Sequence, residues 1–168
     1  QVSSICGIIS FMNFSPRPSA EPIIYPTEVV LASQSAGRRT LLEKLGIRFR
    51  VIVTHVDEST ITDKDPVRML SRRSVAKADE IIKHPRVYAL SELAKSLIIA
   101  ADTEAIIGKK SYGKAEGRDH AKEMLKELMG RTHTLTTAVP MVLFDKGEEV
   151  KRWNKTAETK VSLRKLTG

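Results

Sequence analysis

The sequence predicts an α/β fold, and three features of the chain lead to that prediction. A short apolar strand, residues 28–31, runs directly into a helix that ends at Gly46. A fully apolar strand, residues 97–101, stops abruptly at Asp102. An amphipathic helix over residues 117–129 then precedes two long strands. Strands interleaved with helices favour a sheet that is covered by helices.

The length and composition indicate one globular domain with a basic surface. The chain has 168 residues, of which 41% are hydrophobic, enough to bury a core. The net charge of +8, from 28 basic and 20 acidic residues, suits an anionic partner such as a nucleotide, a nucleic acid or an anionic lipid. Cys6 is the only cysteine, so there is no disulfide framework and no thiolate metal cluster. We therefore expect a reducing, cytoplasmic setting and, because no apolar run is long enough to span a bilayer, no membrane partner.

Residues 1–27 differ in character from the rest of the chain, and we expect them to form an irregular tail. The run Ile5–Met12 is apolar, but no basic residue precedes it, which makes it a poor signal peptide. The run of residues 15–22 contains three prolines and is typical of a linker. The folded domain is therefore predicted to occupy residues 28–168.

The junction between the first strand and the first helix has the features of an anion site. Ser35 is a suitable N-cap, and the hydroxyls of Ser33 and Ser35 accompany the free backbone N–H groups of the first turn. Arg38 and Arg39 follow in that turn, where the helix dipole disfavours cations. An arginine pair beside such donors fits a bound phosphate or carboxylate. A surface helix with two solvated arginines would show the same spacing, so both interpretations stay open.

A second strand is predicted over residues 48–53, and it leads into an acidic loop. Asp57 and Glu58 are adjacent carboxylates at this strand end. Such a pair is a reasonable place for a hard cation. The alternative is an ordinary solvated loop.

The next helix is predicted to begin at Asp65–Pro66, a capping aspartate followed by proline at the first helical position, and to end near Lys83. Lys77 lies on the same helix face as Leu70 and Ile81. A lysine on an apolar stripe either extends its ammonium to solvent or reaches a buried anion. The sequence leaves both possibilities open.

Asp102 follows a buried strand at its carboxyl end, which is where α/β enzymes place catalytic groups. Carboxylates at such positions also serve as caps and turn residues. Residues 104–107 are predicted to continue as a strand, and residues 108–113 to form a hairpin turn.

The run Gly108–Ala115 is one residue short of a P-loop. It has Ala115 where a P-loop has the serine or threonine whose hydroxyl holds Mg²⁺. Because that hydroxyl has a mechanistic role, we do not interpret the run as a P-loop. Lys114 remains able to reach a phosphate from a hairpin.

The last third of the chain is predicted to be structural. The helix over residues 117–129 has an apolar stripe at spacings of three and four residues, formed by Ala121, Met124, Leu125 and Leu128. The long strands over residues 133–145 and 148–163 are joined by a turn at residues 145–147. The four histidines are isolated from one another, and we do not expect them to bind a metal.

Several of these segments together resemble the Maf family of nucleoside triphosphate pyrophosphatases, over roughly residues 28–166. The matching motifs occur in the family's order, and each alone is weak. They are Leu31-Ala-Ser33 with Arg38, Asp57-Glu58, Ala76-Lys77-Ala78, Ala101-Asp-Thr103, Gly113-Lys114-Ala115, Ala121 to Leu125, Gly130-Arg-Thr-His133 and Thr137-Ala-Val139.

The resemblance implies a mixed, mostly antiparallel twisted sheet with flanking helices and two lobes around a cleft, as in inosine triphosphate pyrophosphatases. It also implies a homodimer that hydrolyses a nucleoside triphosphate to the monophosphate and pyrophosphate with a divalent cation, Mg²⁺ or Mn²⁺. In the subgroup with threonine at the position of Thr103, the typical substrates are pyrimidine triphosphates such as dTTP and UTP.

The resemblance also implies roles for single residues. Asp102 would be the general base and, with Glu58, a metal ligand. The substrate would be bound by Ser33, Ser35, Arg38, Lys77 and Lys114. Gly37 and Thr103 would influence which base is preferred.

Three departures from the family pattern favour an alternative, a catalytically impaired nucleotide-binding remnant. Gly37 stands where the family has the first of two arginines, and residues 85–96 look inserted. We expect the family's C-terminal part to be missing after Gly168. A third hypothesis, motivated by the charge, is a basic nucleic-acid-binding module. No aromatic stacking platform or docking motif supports it.

Overall fold

The computed structural model describes residues 26–91 and 94–165, in which three α-helices pack against a sheet of seven strands. The strands are β1 (Glu28–Ala32), β2 (Arg50–Val51), β3 (Ser96–Ala100), β4 (Asp102–Ile107), β5 (Lys110–Tyr112), β6 (Thr132–Asp145) and β7 (Glu148–Ser162). The helices are α1 (Ala36–Lys44), α2 (Pro66–Lys83) and α3 (Arg118–Leu128), and a short 3-10 helix spans Glu58–Thr60. Nearly all of the predicted tail, residues 1–25, lies outside the described residues.

The sheet is mixed, and β6 is its central strand. β3 and β4 lie end to end along one edge of β6, and β7 lies along the other edge. β1 runs parallel to β2 and β3, whereas the pairings of β6 with β3, β4 and β7 and of β4 with β5 are antiparallel. The predicted mixed, mostly antiparallel sheet with flanking helices is therefore confirmed.

Within residues 26–91 and 94–165, buried apolar side chains form two separate clusters, one on each side of the β3–β4 junction. The larger cluster lies between the sheet and α2 and includes Ile81, Ile98 and Val142, all fully buried. The smaller cluster joins β4, β5 and α3 through Ala105, Tyr112 and Leu128. Asp102 begins β4 between them, so the predicted two-lobed arrangement places this carboxylate where the lobes meet.

Local capping signals set the helix boundaries as predicted. The Ser35 hydroxyl accepts a hydrogen bond from the Arg38 N–H, and Gly46 adopts a φ of 69°, which ends the first helix. The Asp65 carboxylate accepts from the Val67 N–H at 2.9 Å, with Pro66 in the first helical position. None of the described helices combines the length and the apolar character that crossing a bilayer requires.

Three predictions about the elements were wrong in detail. The hairpin turn predicted over residues 108–113 is confined to residues 108–109, because β5 (Lys110–Tyr112) already pairs with β4. The second strand is only two residues long, because β2 lies at the sheet edge and the chain leaves β1 after Ile52. Leu125 was predicted to be buried but is 52% exposed. The smaller cluster is filled by Leu128 and Met124, and Leu125 lies at the margin of that helical stripe.

Candidate active site

A cleft of about 860 Å³ opens where the two lobes meet, a size suited to a small-molecule ligand. Its walls come from the β1–α1 turn, the loop with the 3-10 helix, α2, the start of β4 and the end of β5. The residues predicted from the sequence that line it are Ser33, Ser35, Arg38, Glu58, Lys77, Asp102, Thr103 and Lys114. Gly37 is exposed in the first turn of α1 and does not line the cleft.

In the β1–α1 turn, hydrogen bonds hold Ser33, Ser35 and Arg38 together. The Ser33 hydroxyl accepts hydrogen bonds from the Ser35 N–H at 3.2 Å and from Arg38 Nη1 at 2.9 Å. The Ser35 hydroxyl accepts from the Arg38 N–H at 3.4 Å. The guanidinium is thereby folded back over its own turn. The side chain of Arg39, the next residue, is exposed, and its Nη2 donates to the Gln34 carbonyl at 3.2 Å.

Arg38 also reaches across the sheet to β4. Its Nη2 donates to the Thr103 hydroxyl at 3.0 Å, and Thr103 in turn pairs with the Thr137 hydroxyl of β6 at 3.0 Å. Burial lowers the pKa of the Arg38 guanidinium from its ordinary value, and the carboxylates of Asp102 and Glu58 partly oppose that shift. The guanidinium nevertheless stays charged, because the ordinary pKa of arginine is far above neutrality. The charged, partly desolvated guanidinium of Arg38, which Ser33 and Thr103 hold in place, therefore faces the cleft.

Lys77 is the centre of the site. Its ammonium lies 3.0 Å from Glu58 Oε2 and 3.6 Å from Asp102 Oδ1, with only 13% of the lysine side chain exposed. The sequence left open whether this lysine reaches solvent or a buried anion. In the structure it reaches two carboxylates from different elements, the 3-10 helix and β4.

Asp102 is held by its own strand as well as by Lys77. Its Oδ1 accepts from the Thr103 N–H at 3.1 Å, and the side chain is 17% exposed. Both of these contacts use Oδ1, so Oδ2 can accept from a water in the cleft. A partly buried carboxylate beside a cation is equipped to orient and deprotonate water.

The rest of the acidic loop and the hairpin lysine have simpler surroundings. Asp57, the neighbour of Glu58, accepts from the Ser59 N–H and hydroxyl and so caps the 3-10 helix. These hydrogen bonds lower the pKa of the exposed Asp57 carboxyl. Lys114 lies at the cleft mouth after β5 and is exposed, which leaves its ammonium able to move toward a ligand.

Two charged residues of the cleft, Arg73 and Glu104, were not predicted as site residues from the sequence. Arg73 Nη1 lies 3.0 Å from Glu104 Oε1 in an ion pair between α2 and β4, and both side chains line the cleft. Lys77 and Asp102 were identified as candidates from the sequence. It was not considered that Arg73 precedes Lys77 by one helical turn, or that Glu104 follows Asp102 on the same strand face. That spacing was the available signal.

The donor set fits a divalent cation bound together with phosphates. No group of three or more histidine, cysteine, aspartate and glutamate side chains converges within the described residues. Glu58 and Asp102 do converge, since one ammonium contacts both carboxylates. Mg²⁺ is commonly held by one or two carboxylates with the remaining ligands from water and substrate phosphates. These two residues would therefore hold the metal.

The fold and the site together define an α/β protein with a ligand-sized cleft. Its walls carry four cations, Arg38, Arg73, Lys77 and Lys114, and three carboxylates, Glu58, Asp102 and Glu104. The chain belongs to the Maf-like protein family, whose sequence profile matches residues 28–168.

Relatives of this chain are named as pyrophosphatases. The chain is 38% identical over 139 residues to a dTTP/UTP pyrophosphatase of Thermoanaerobacter sp. (strain X514), a match that covers 83% of this chain and 67% of that protein. It is 38% identical over 112 residues to a dTTP/UTP pyrophosphatase of Akkermansia muciniphila, covering 66% and 54% respectively. The chain thus spans between about half and two thirds of these relatives' length.

Among solved structures, the chain is similar to a HAM1 protein from Coxiella burnetii. The TM-score is 0.49 and the sequence identity 14%, over 79% of this chain and 71% of that one.

Proposed function

We propose that this chain carries the catalytic site of a nucleoside triphosphate pyrophosphatase, which hydrolyses a nucleoside triphosphate to the monophosphate and pyrophosphate. The observation that carries the proposal is the position of Lys77, whose ammonium joins Glu58 to Asp102 inside a cleft that Arg38 also enters. Relatives named dTTP/UTP pyrophosphatase support the reaction class.

In this proposal Asp102 is the general base. Hydrolysis adds water across the anhydride bond between the α- and β-phosphates, and the water must lose a proton as its oxygen attacks phosphorus. Asp102 Oδ2 accepts that proton, while Oδ1 stays bonded to the Thr103 N–H and holds the carboxylate in place. The Lys77 ammonium, 3.6 Å from Asp102 Oδ1, offsets the negative charge of this carboxylate within the cleft.

Three cations and two serines would stabilise the triphosphate. Arg38 presents a planar guanidinium already oriented by Ser33 and Thr103, so little side-chain entropy is lost on binding. Lys77 can turn from its carboxylates toward a phosphate oxygen, and Lys114 can close over the substrate from the hairpin. Cations placed beside the oxygens on which negative charge develops stabilise the transition state more than they stabilise the ground state.

A divalent cation, Mg²⁺ or Mn²⁺, would be held by Glu58 and Asp102. When bound, it supplies charge neutralisation and polarises the phosphoryl group. The Glu58 side chain is 41% exposed, so it can adjust to a ligand without unfolding its loop.

We propose pyrimidine triphosphates such as dTTP and UTP, or modified nucleotides, as substrates. This choice rests on Thr103 in the family motif and on the names of the relatives. Thr103 contacts Arg38, so it can couple the base-selecting part of the cleft to the phosphate site. Gly37 would act by leaving the first turn of α1 without a side chain. The proposal extends to a homodimer, on the strength of the family resemblance, and to the cytoplasm, on the strength of the low cysteine content.

The experiment is a panel of canonical and modified nucleoside triphosphates with Mg²⁺ or Mn²⁺, with pyrophosphate and monophosphate both measured. Release of the two products in equal amounts, with the highest kcat/KM for a pyrimidine, is the expected result. Nucleotide binding without either product would favour the impaired nucleotide-binding protein instead. Steeply salt-dependent binding to DNA or RNA without either product would favour the nucleic-acid-binding module.

A further inference from the structure

The ion pair between Arg73 and Glu104 lies in the cleft but has no part in the proposed hydrolysis. The two side chains are 19% and 8% exposed, so this is a largely buried pair. Arg73 additionally donates from Nε to the Ile61 carbonyl at 3.3 Å. Burying a charged pair costs desolvation energy that a hydrophobic pair would not, so its presence beside a ligand site suggests a binding role.

The Arg73–Glu104 pair joins α2 to β4, as the contact between Lys77 and Asp102 does. Arg73 precedes Lys77 by four residues on α2, a rise of about 6 Å along a helix. Glu104 follows Asp102 by two residues on β4, a rise of about 7 Å along a strand. Because these distances match, both contacts bridge the same gap between helix and strand. Glu104 therefore lies about 7 Å beyond Asp102 along β4, which is comparable with the distance from the α-phosphate of a nucleotide to its sugar.

One oxygen of Glu104 lacks a partner. Oε1 binds Arg73, whereas Oε2 is buried and has no hydrogen-bond partner among the described residues. The Thr136 hydroxyl, directly across from Glu104 in the β4–β6 register, is also buried without a described partner. A buried acceptor of this kind destabilises the protein unless a donor reaches it.

Gly113 packs closely against the Glu104 carboxylate in the wall of the cleft. A Cβ at position 113 would lie 3.2 Å from Glu104 Oε1, tighter than most real contacts, so a side chain there would crowd the carboxylate. Both residues line the cleft. The absence of a side chain at position 113 therefore leaves room for Glu104 Oε1 in its position beside the cleft.

We infer that Glu104, oriented by Arg73, accepts a hydrogen bond from a hydroxyl of the substrate's sugar and so determines specificity for the nucleoside. The inference rests on the proposed function. A carboxylate repels phosphate oxygens, and Arg73 is already neutralised, so this end of the cleft suits the uncharged part of the nucleotide. The sugar is bonded to the α-phosphate, which makes its hydroxyls the nearest donors once that phosphate is beside Asp102. Glutamate or aspartate recognises ribose hydroxyls in the same way in dinucleotide-binding folds.

The test compares UTP with its 2′,3′-dideoxy analogue on the wild type and on the Arg73→Met/Glu104→Val double variant. The double variant removes both charges together, which avoids leaving one buried and unpaired. The matched control is Lys110→Met/Glu127→Val, which removes an ion pair that lies outside the cleft. Thermal denaturation of each variant establishes that it folds.

We expect the double variant to lose about ten- to a hundredfold in kcat/KM on UTP and to be unchanged, relative to the control, on the dideoxy analogue. Single-deoxy analogues then locate the hydroxyl. Glu104→Gln, which keeps the shape but not the charge, should give a smaller loss on UTP. Equal losses on both nucleotides would overturn the inference, as would a loss that followed the base instead of the sugar.

The outcome is separable from that of the proposed function. If the wild type turns over no triphosphate, the proposed function fails, and calorimetric binding of UMP and its dideoxy analogue to the same proteins tests the inference directly. A sugar-dependent loss of affinity confined to the Glu104 variants would still support it. Affinities that are independent of the sugar would refute it.

Discussion

The Lys77 ammonium lies 3.0 Å from the Glu58 carboxylate, joining the middle of α2 to the short 3-10 helix. Asp102 approaches the same ammonium from β4 at 3.6 Å. Three elements that are distant in sequence therefore meet at one charged nitrogen. Without that cation, two carboxylates would face each other in a partly buried cleft, where like charges repel strongly.

Lys77→Met should reduce pyrophosphate release by about 10²-fold or more, because the proposed phosphate contact and the compensation of both carboxylates are lost together. The measurement is steady-state turnover of a pyrimidine triphosphate with Mg²⁺. Lys83→Met, an exposed lysine in the last turn of the same helix, is the control and should retain wild-type turnover. Comparable activity in both variants would exclude Lys77 from the site.

Arg38→Lys should lower kcat/KM by roughly tenfold or more even though the charge is kept. Lysine cannot contact Ser33 and Thr103 at once as the planar guanidinium does. Arg39→Lys provides a comparison at the next position, where the side chain is exposed and the change should have little effect. If the two substitutions have equal effects, the orientation of Arg38 is not what matters.

Thr137→Val should destabilise the fold by about 1 kcal/mol and lower kcat several-fold. It removes the hydroxyl that pairs with Thr103, which in turn contacts Arg38. Thr137→Ser keeps the hydroxyl and should restore kcat, which a purely packing role for the methyl group would not allow. Thermal denaturation and steady-state kinetics on the two variants distinguish the effects.

Glu58→Gln should weaken the apparent affinity for Mg²⁺ in turnover assays by at least tenfold, because a neutral amide is a poorer ligand for a hard cation than a carboxylate. Titrating Mg²⁺ at fixed nucleotide gives the value. Asp57→Asn is the control, since the Asp57 carboxylate is engaged in capping the 3-10 helix and does not line the cleft. If Glu58→Gln leaves the Mg²⁺ requirement unchanged, Glu58 is not a ligand of the metal.

Features that depend on neighbouring residues could be predicted from the sequence. Ser35 as a helix cap and Asp65–Pro66 as a helix start follow from local backbone chemistry, and both are present. The convergence of Lys77 with Glu58 and Asp102 depends on tertiary packing. The family resemblance identified the candidate residues, and the structure shows which of them are in contact.

The features that escaped prediction depend on how elements pack. The Arg73–Glu104 pair forms because α2 crosses β4 at one particular register, which no local rule specifies. Leu125 is exposed because the cluster beneath α3 is too small to cover the whole apolar stripe. Helical periodicity identifies which residues share a face, but the area of the facing surface decides how many are buried.

The most direct test of the central claim is pyrophosphate release from UTP or dTTP with Mg²⁺ by the wild type and by Asp102→Asn. Asp119→Asn, which alters an exposed carboxylate in the first turn of α3, controls for the loss of one charge. We predict turnover by the wild type and the control, and a loss of at least about 10²-fold in Asp102→Asn, since the amide cannot accept the proton of water. Undiminished turnover by a folded Asp102→Asn protein would contradict the assignment of this cleft as the catalytic site.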